Sequence, residues 1–262
     1  MTAIVLAGGD ASDQLARAVG APAKALVPLK GRPLGAYVLD AMVAARSVRR
    51  VIWVGAADAA MRRRIDLAVP GGPRLTDSLA IGLGAALATG STDERLLIAT
   101  ADLPWLRGGG VDRFLAAADS DHDLVYPVVP RELCEAAFPD LERTWIRLAE
   151  GQVTGGNLVL VRPDALRTLL PWIDLATRDR KSPLMLASRL GLVTIVGLLT
   201  GRATLPGLER HIAKRVGLTV RAMVSDDAAI GSDVDRIGHL PATLALDAAT
   251  AEAASTTEAR SP

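Results

Sequence analysis

The stretch IVLAGGDASDQLARAVGAPAKALVPL (4–29) is the strongest constraint on what this chain can fold into. An apolar run stops at Gly8 and Gly9, and after a loop a single lysine, Lys24, stands in a second apolar run. A short apolar segment that breaks at glycines reads as a buried strand followed by a turn. Similar short runs recur at VIWVG (51–55), RLLIATAD (95–102), DLVYPVV (123–129), NLVLVRP (157–163) and TVRAMV (219–224). Longer amphipathic stretches separate them. LGAYVLDAMVAAR (34–46) is a helix with Leu34, Val38 and Met42 on one face, introduced by Pro33, and a further helix starts near Thr76 and stops at Gly90. Strands alternating with helices predict an α/β fold, a three-layer α/β/α sandwich around a mostly parallel sheet.

The chain has 262 residues, half of them hydrophobic, enough for one sizeable core. From 163 to 217 the texture changes to two basic helical segments, TRDRKSPLMLASRLG and TLPGLERHIAKRVG, read as an accessory helical region within a domain spanning 1–246. The segment 247–262 is poor in large apolar groups and is expected to be disordered. A net charge of +1 gives no overall field toward nucleic acid or an anionic membrane, so neither is expected as a partner. No apolar run approaches the roughly 18 to 20 residues that span a bilayer, and the first residues lack the basic start of a signal peptide. A cytoplasmic protein is the expectation. The lone Cys134 permits no internal disulfide, and His122, His211 and His239 show no metal-ligand spacing.

In an open α/β sheet, ligands collect beyond the carboxyl ends of the strands, where glycines let backbone N–H groups approach a phosphate. Gly8 and Gly9 occupy such an edge. They do not fit the G-x-G-x-x-G dinucleotide pattern, and Lys24 lacks the flanking glycine and Ser or Thr of a P-loop. What remains is a strand, a glycine turn, a loop and a lysine returned to the same edge. That set is able to hold a triphosphate and neutralise charge at a phosphorus under attack.

The ordered set LAGG (6–9), KALVPLKGRPL (24–34), GGPRLTDSLAIGL (71–83), TADLP (100–104), TGGN (154–157) and SDVD (232–235) resembles the nucleotidyltransferases with a MobA-like fold. That family includes molybdenum cofactor guanylyltransferases, the cytidylyltransferase of isoprenoid synthesis and sugar-1-phosphate nucleotidyltransferases. The resemblance implies transfer of a nucleoside monophosphate from a nucleoside triphosphate to a phosphorylated small-molecule acceptor, with release of pyrophosphate. It implies a nucleotide site at Leu6, Ala7, Gly8, Gly9, Lys24, Gly72 and Ser78, with Lys24 and Asp102 as catalytic residues. Joining two polyanions calls for Mg2+, which takes one or two protein carboxylates. By family position these are Asp102 and Asp235, with Asp233 as the alternative to Asp235. The acceptor would meet Asn157 and Lys181, helped by Arg178 and Arg180.

Several positions keep a second, purely structural reading. Asp102 and Asp235 can each be a helix N-cap, as can Ser78, and Arg178 to Lys181 can be a solvated helix start. Trp105 beside TADLP can flank the pocket. The loop after Gly9 is longer than in the family and carries Asp10 and Asp13 where phosphates should lie; Arg17 can compensate if the loop folds inward. Two other functions therefore stay open: a glycosyltransferase using SDVD as its metal motif, and a nucleotide-binding module without turnover. Homo-oligomerisation is compatible with every reading.

Overall fold

The computed structural model describes residues 1–9, 12–118, 121–179, 197–198 and 200–239. The tail at 247–262, Asp10, Lys181, Arg180 and the side chain of Arg178 lie outside the described part.

Strands β1 (Thr2–Ala7), β4 (Arg50–Gly55), β5 (Leu67–Val69) and β6 (Leu96–Thr100) are parallel neighbours in the order β5-β4-β1-β6. Between them run α1 (Gln14–Ala18), the small hairpin β2 (Pro28–Leu29) and β3 (Arg32–Pro33), α2 (Leu34–Ala44), α3 (Ala59–Arg62) and α4 (Leu75–Ala88). The second half is mixed. After α5 (Gly108–Ala117) come β7 (Leu124–Pro130), α6 (Arg131–Ala137), the hairpin β8 (Ile146–Leu148) and β9 (Gly151–Gly155), and β10 (Leu158–Val161). Helices α7 (Pro163–Asp179) and α8 (Leu205–Val216) precede β11 (Val220–Val224). β10 inserts between β6 and β7, antiparallel to both, while β11 runs parallel to β7. The expected sandwich is present, and its sheet is parallel on one side and mixed on the other.

Alternation along the strands decides the layers, because successive side chains leave opposite faces. Ala3, Val5, Trp53, Leu97 and Ala99 meet Val38, Leu39 and Met42 of α2 and Val111 and Phe114 of α5. Ile4, Ile52, Val54, Leu96 and Ile98 meet Leu79, Leu83 and Ala86 of α4 and Leu166 and Leu169 of α7. Both faces are covered, which is why the inner strands read as continuous apolar runs. α4 starts one residue before Thr76, and Gly90 closes it at φ +69 with its N–H on the Leu87 carbonyl. Among the described residues no helix is long and apolar enough to cross a membrane.

Register positions the site. Ala7 pairs with Gly55 and Leu6 with Thr100, so the chain leaves β1, β4 and β6 at one edge of the sheet. β10 arrives at that edge from the other direction, and the Thr100 N–H donates to the Asn157 carbonyl at 3.3 Å. Gly55 sits at φ +130, and a Cβ there would lie 2.1 Å from the Ala7 carbonyl oxygen, so only glycine lets β4 end this close to β1. The late SDVD segment is brought back by the Val234 N–H, which donates to the Asp102 carbonyl at 3.1 Å.

Candidate active site

At the carboxyl edge of the parallel strands, Lys24 stands between two carboxylates. It opens a one-turn 3-10 helix, Lys24–Leu26, whose Ala25 is buried against the core, so the turn is held and the lysine side chain is committed to the interior. Its Nζ donates to Asp102 Oδ2 and to Asp235 Oδ1, each at 2.5 Å. Burial alone would lower the ammonium pKa; the two carboxylates outweigh it and hold it above its ordinary value, so Lys24 stays charged. Asp235 is pushed up by burial and pulled further down by Lys24, so it is ionised. Asp102 lies two residues beyond β6, and the cap position of α5 is taken by Arg107, so Asp102 does not cap that helix.

A third carboxylate completes the group. Asp233 accepts from Arg143 Nη1 at 3.0 Å and from Asn157 Nδ2 at 3.3 Å. Burial first, then repulsion from Asp102 and Asp235, raises its pKa to about 6 despite Arg143. One carboxylate oxygen from each of Asp102, Asp233 and Asp235 lies within 4.8 Å of the other two. The second oxygen of Asp102 is buried and without a hydrogen-bond partner among the described residues. Three converging hard oxygen donors, one of them spare, fit a small divalent cation.

Beside this group lies a cleft of about 600 Å3 whose walls include Ala7, Gly8, Gly9, Gly55, Gly71 and Gly72. Its glycines bring backbone to the surface, where N–H groups can approach a phosphate. Gly9 adopts φ +88, and a Cβ there would come 3.5 Å from that of Lys24, so the glycine turn and the lysine touch. Asp13 lines the cleft too, yet its carboxylate accepts from the Leu15 and Ala16 N–H groups as the N-cap of α1. Ser78, in the second turn of α4, is not that helix's cap; its Oγ accepts from the Gly72 N–H at 3.0 Å and fixes the shape of the Gly71–Gly72 turn. Leu6 stands at the same strand end. Its side chain packs under α4 and its carbonyl is taken by the Ala101 N–H, because the strand's alternation turns it to the core.

Three contributors had no sequence signal. Arg62, at the end of α3, lines the glycine cleft, and Arg17, the arginine of the loop after Gly9, does not. Arg143, with only 6 % of its side chain exposed, sits in an irregular loop after α6. His239 receives the Asp235 N–H on Nδ1 at 3.3 Å. A basic residue in a loop offers no periodicity to read; only the fold shows what it faces. Trp105 packs against Phe138, ring centroids 4.7 Å apart, and lines neither the cleft nor the carboxylate group.

Residues 3–214 match the MobA-like NTP transferase domain. The chain belongs to that family. This MobA-like enzyme is accordingly a nucleotidyltransferase, and its sheet is that of the fold. Among solved structures it is similar to a hypothetical transferase from Thermus thermophilus, with 36% identity, TM-score 0.80, and coverage of 90% of this chain and 96% of that one. A nucleotidyl transferase from Methanothermobacter thermautotrophicus shares the fold at 19% identity and TM-score 0.51, over 91% of this chain and 93% of the other. So does a CMP:2-keto-3-deoxy-manno-octonic acid synthetase, solved in complex with CTP, at 15% identity and TM-score 0.54, over 90% of this chain and 93% of that one. No curated protein shows a significant match.

Proposed function

We propose that this MobA-like enzyme is a Mg2+-dependent nucleotidyltransferase that moves a nucleoside monophosphate from a nucleoside triphosphate to a phosphorylated small molecule and releases pyrophosphate. The observation that carries this reading is Lys24 held at 2.5 Å from both Asp102 and Asp235, at the rim of a glycine-walled cleft. A neighbour of the same fold, the synthetase solved with CTP, gives the triphosphate reading independent support.

The cleft takes the nucleotide. Gly8, Gly9 and Gly72 let backbone approach the triphosphate and sugar closely, and Arg62 supplies a guanidinium at the wall. Asp102 and Asp235 would hold the cation, with Asp233 beside them; when bound, Mg2+ neutralises phosphate charge and fixes the triphosphate's orientation. Lys24 keeps a full positive charge in a half-dry site, where it is worth more than in water to a phosphorus gaining negative charge. Asn157 positions Asp233 by donating to it.

The test is pyrophosphate release with Mg2+, each of the four common nucleoside triphosphates and a panel of phosphorylated acceptors, for wild type, Asp102→Ala and Lys24→Ala. Release that needs one triphosphate and one acceptor, and disappears in both variants, is the expected result. Triphosphate binding with no release across the panel would leave a silent binding module. Hydrolysis of a nucleotide-sugar without pyrophosphate would point to glycosyl transfer.

A further inference from the structure

The carboxylate oxygens that suit a cation are already engaged. Lys24 Nζ donates to Asp102 Oδ2 and Asp235 Oδ1, each at 2.5 Å, and so stands between the two acids that would hold the ion. Asp102 Oδ1 has almost no accessible surface, so an ion arriving from solvent reaches this acid through Oδ2. Asp233 is tied as well, its Oδ1 accepting from both Arg143 and Asn157. The two basic anchors differ in exposure. Arg143 has 6 % of its side chain exposed, whereas the Lys24 bridge opens to solvent on its Asp235 side, where the carboxylate side chain is 56 % exposed. A pair wetted on one side parts more easily than a buried one. The Lys24 bridge is therefore the one able to open.

A Mg2+ ion lies about 2.0 to 2.1 Å from its oxygen ligands. Held by Asp102 Oδ2 and Asp235 Oδ1 together, it would need the space that Nζ fills, so ion and ammonium exclude each other there. Charge points the same way. Three acids already face Lys24 and Arg143, so a divalent ion added beside a retained lysine would turn the cluster net positive. Driving the lysine off is no easier by itself. With 11 % of its side chain exposed, an ammonium that has lost both acids is a nearly buried charge without a counter-ion, which is costly. The glycine cleft can supply that counter-ion. The Lys24 Cβ lies 3.5 Å from where a Cβ on Gly9 would stand, so its flexible stem starts at the turn that would face the triphosphate.

We infer that Lys24 is a latch on the cation site: its ammonium keeps a divalent cation off Asp102 and Asp235 until a triphosphate in the glycine cleft draws the lysine away. Cation and triphosphate then enter together. Because binding free energies couple reciprocally, each raises the affinity for the other by the same factor. The exchange breaks no covalent bond and moves no proton. This rests on the nucleotidyl-transfer reading given above.

Titration of the full chain with Mn2+ in a calorimeter, without nucleotide, tests the latch in wild type, Lys24→Met and Lys24→Arg, with urea unfolding of each as the control for folding. The expected result is Mn2+ binding at least tenfold tighter in Lys24→Met than in wild type, and within threefold of wild type in Lys24→Arg, which keeps a cation on the acids. Equal or weaker binding in Lys24→Met would overturn the inference, because the ion would then use oxygens that the lysine leaves free. An equal rise in Lys24→Arg would overturn it too, by showing that the packing of the lysine matters and its charge does not. A second measurement needs only wild type. The Nζ–H NMR signal of Lys24, protected by its two carboxylates, should persist with Mg2+ alone and shift or broaden when Mg2+ and inorganic tripolyphosphate, a triphosphate without a base, are added together. A signal unmoved by the pair, or moved as far by Mg2+ alone, would refute the exchange. Neither readout uses turnover. Pyrophosphate release alongside unchanged Mn2+ affinity removes the latch and spares the transfer, whereas both expected shifts without pyrophosphate from any triphosphate keep the latch and refute the transfer.

Discussion

The two sides of the site are built by different means. The glycine cleft is lined chiefly by turns that follow β1, β4 and β5, where Gly8, Gly9, Gly55, Gly71 and Gly72 bring backbone to its surface. A polar pocket beside the carboxylates is lined by side chains, with Arg143 in a loop after α6 and Asp233, Asp235, Arg236 and His239 all beyond β11. Lys24, Asp102 and Asp235 join the two. Under the proposed function, the difference teaches that the part of the ligand common to all nucleotides can be met largely by main chain, whereas the carboxylate side relies on chosen side chains.

Substitutions can break that comparison, and the largest effect is expected at the junction. Asp102→Asn removes a carboxylate that both pairs with Lys24 and has a spare buried oxygen; the turnover number should fall by about 10² to 10³, the usual loss for one preorganised charge-stabilising group. A fall below tenfold in a pyrophosphate assay would show that Asp102 is not at the reacting centre. On the cleft side, Gly55→Ala places a Cβ 2.1 Å from the Ala7 carbonyl at φ +130 and should cost about 3 kcal/mol or more in urea unfolding, chiefly as a stability defect. Full stability with lost nucleotide affinity would contradict the backbone origin of that wall.

The third prediction concerns pH. The Asp233 carboxyl has a pKa of about 6 in the folded, metal-free protein, above the ordinary carboxylate value it would have in the unfolded chain. The folded state then binds more protons than the unfolded state between those values. Its stabilising contribution is complete below the unfolded value and is lost as pH rises through about 6. Asp233→Asn should flatten this part of the metal-free stability profile. A divalent cation competes with the same proton, so Mn2+ affinity should climb from pH 5 to 7 in wild type and climb less in Asp233→Asn, measured by calorimetry. The smallest effect is expected from Arg32→Ala, which removes an exposed pair with Asp40 at 2.6 Å and a guanidinium stacked on Tyr37; a change in stability of under about 1 kcal/mol follows. A larger loss would mean the flank of α2 supports the site more than its exposure indicates.

The same divide governs what the sequence reveals. The parallel strands, both covering layers and the glycine edge follow from apolar alternation and from LAGG, because these are short-range patterns with a fixed period. The antiparallel insertion of β10 does not, since nothing in NLVLV states its direction, and neither does the hairpin of β8 and β9 around Gly151. Asp102 is legible as an acid at a strand end, and Lys24 as a lysine that a loop returns to the same edge. That Asp235 would be their third partner rested on family position, and the residues after it, Arg236 to His239, gave no local pattern. Arg143 is invisible in one dimension: its meaning is a 3.0 Å contact with a residue 90 positions away.

Lys24 is separated by 78 residues from Asp102 and by 211 from Asp235, yet binds both. During synthesis the glycine edge, Lys24 and Asp102 leave the ribosome long before Asp235 does, and contacts this remote in sequence form late in folding. A growing chain can therefore shape its nucleotide cleft while still lacking the second acid. The carboxylate that completes the Lys24 pair thus arrives only when nearly the whole domain has been made.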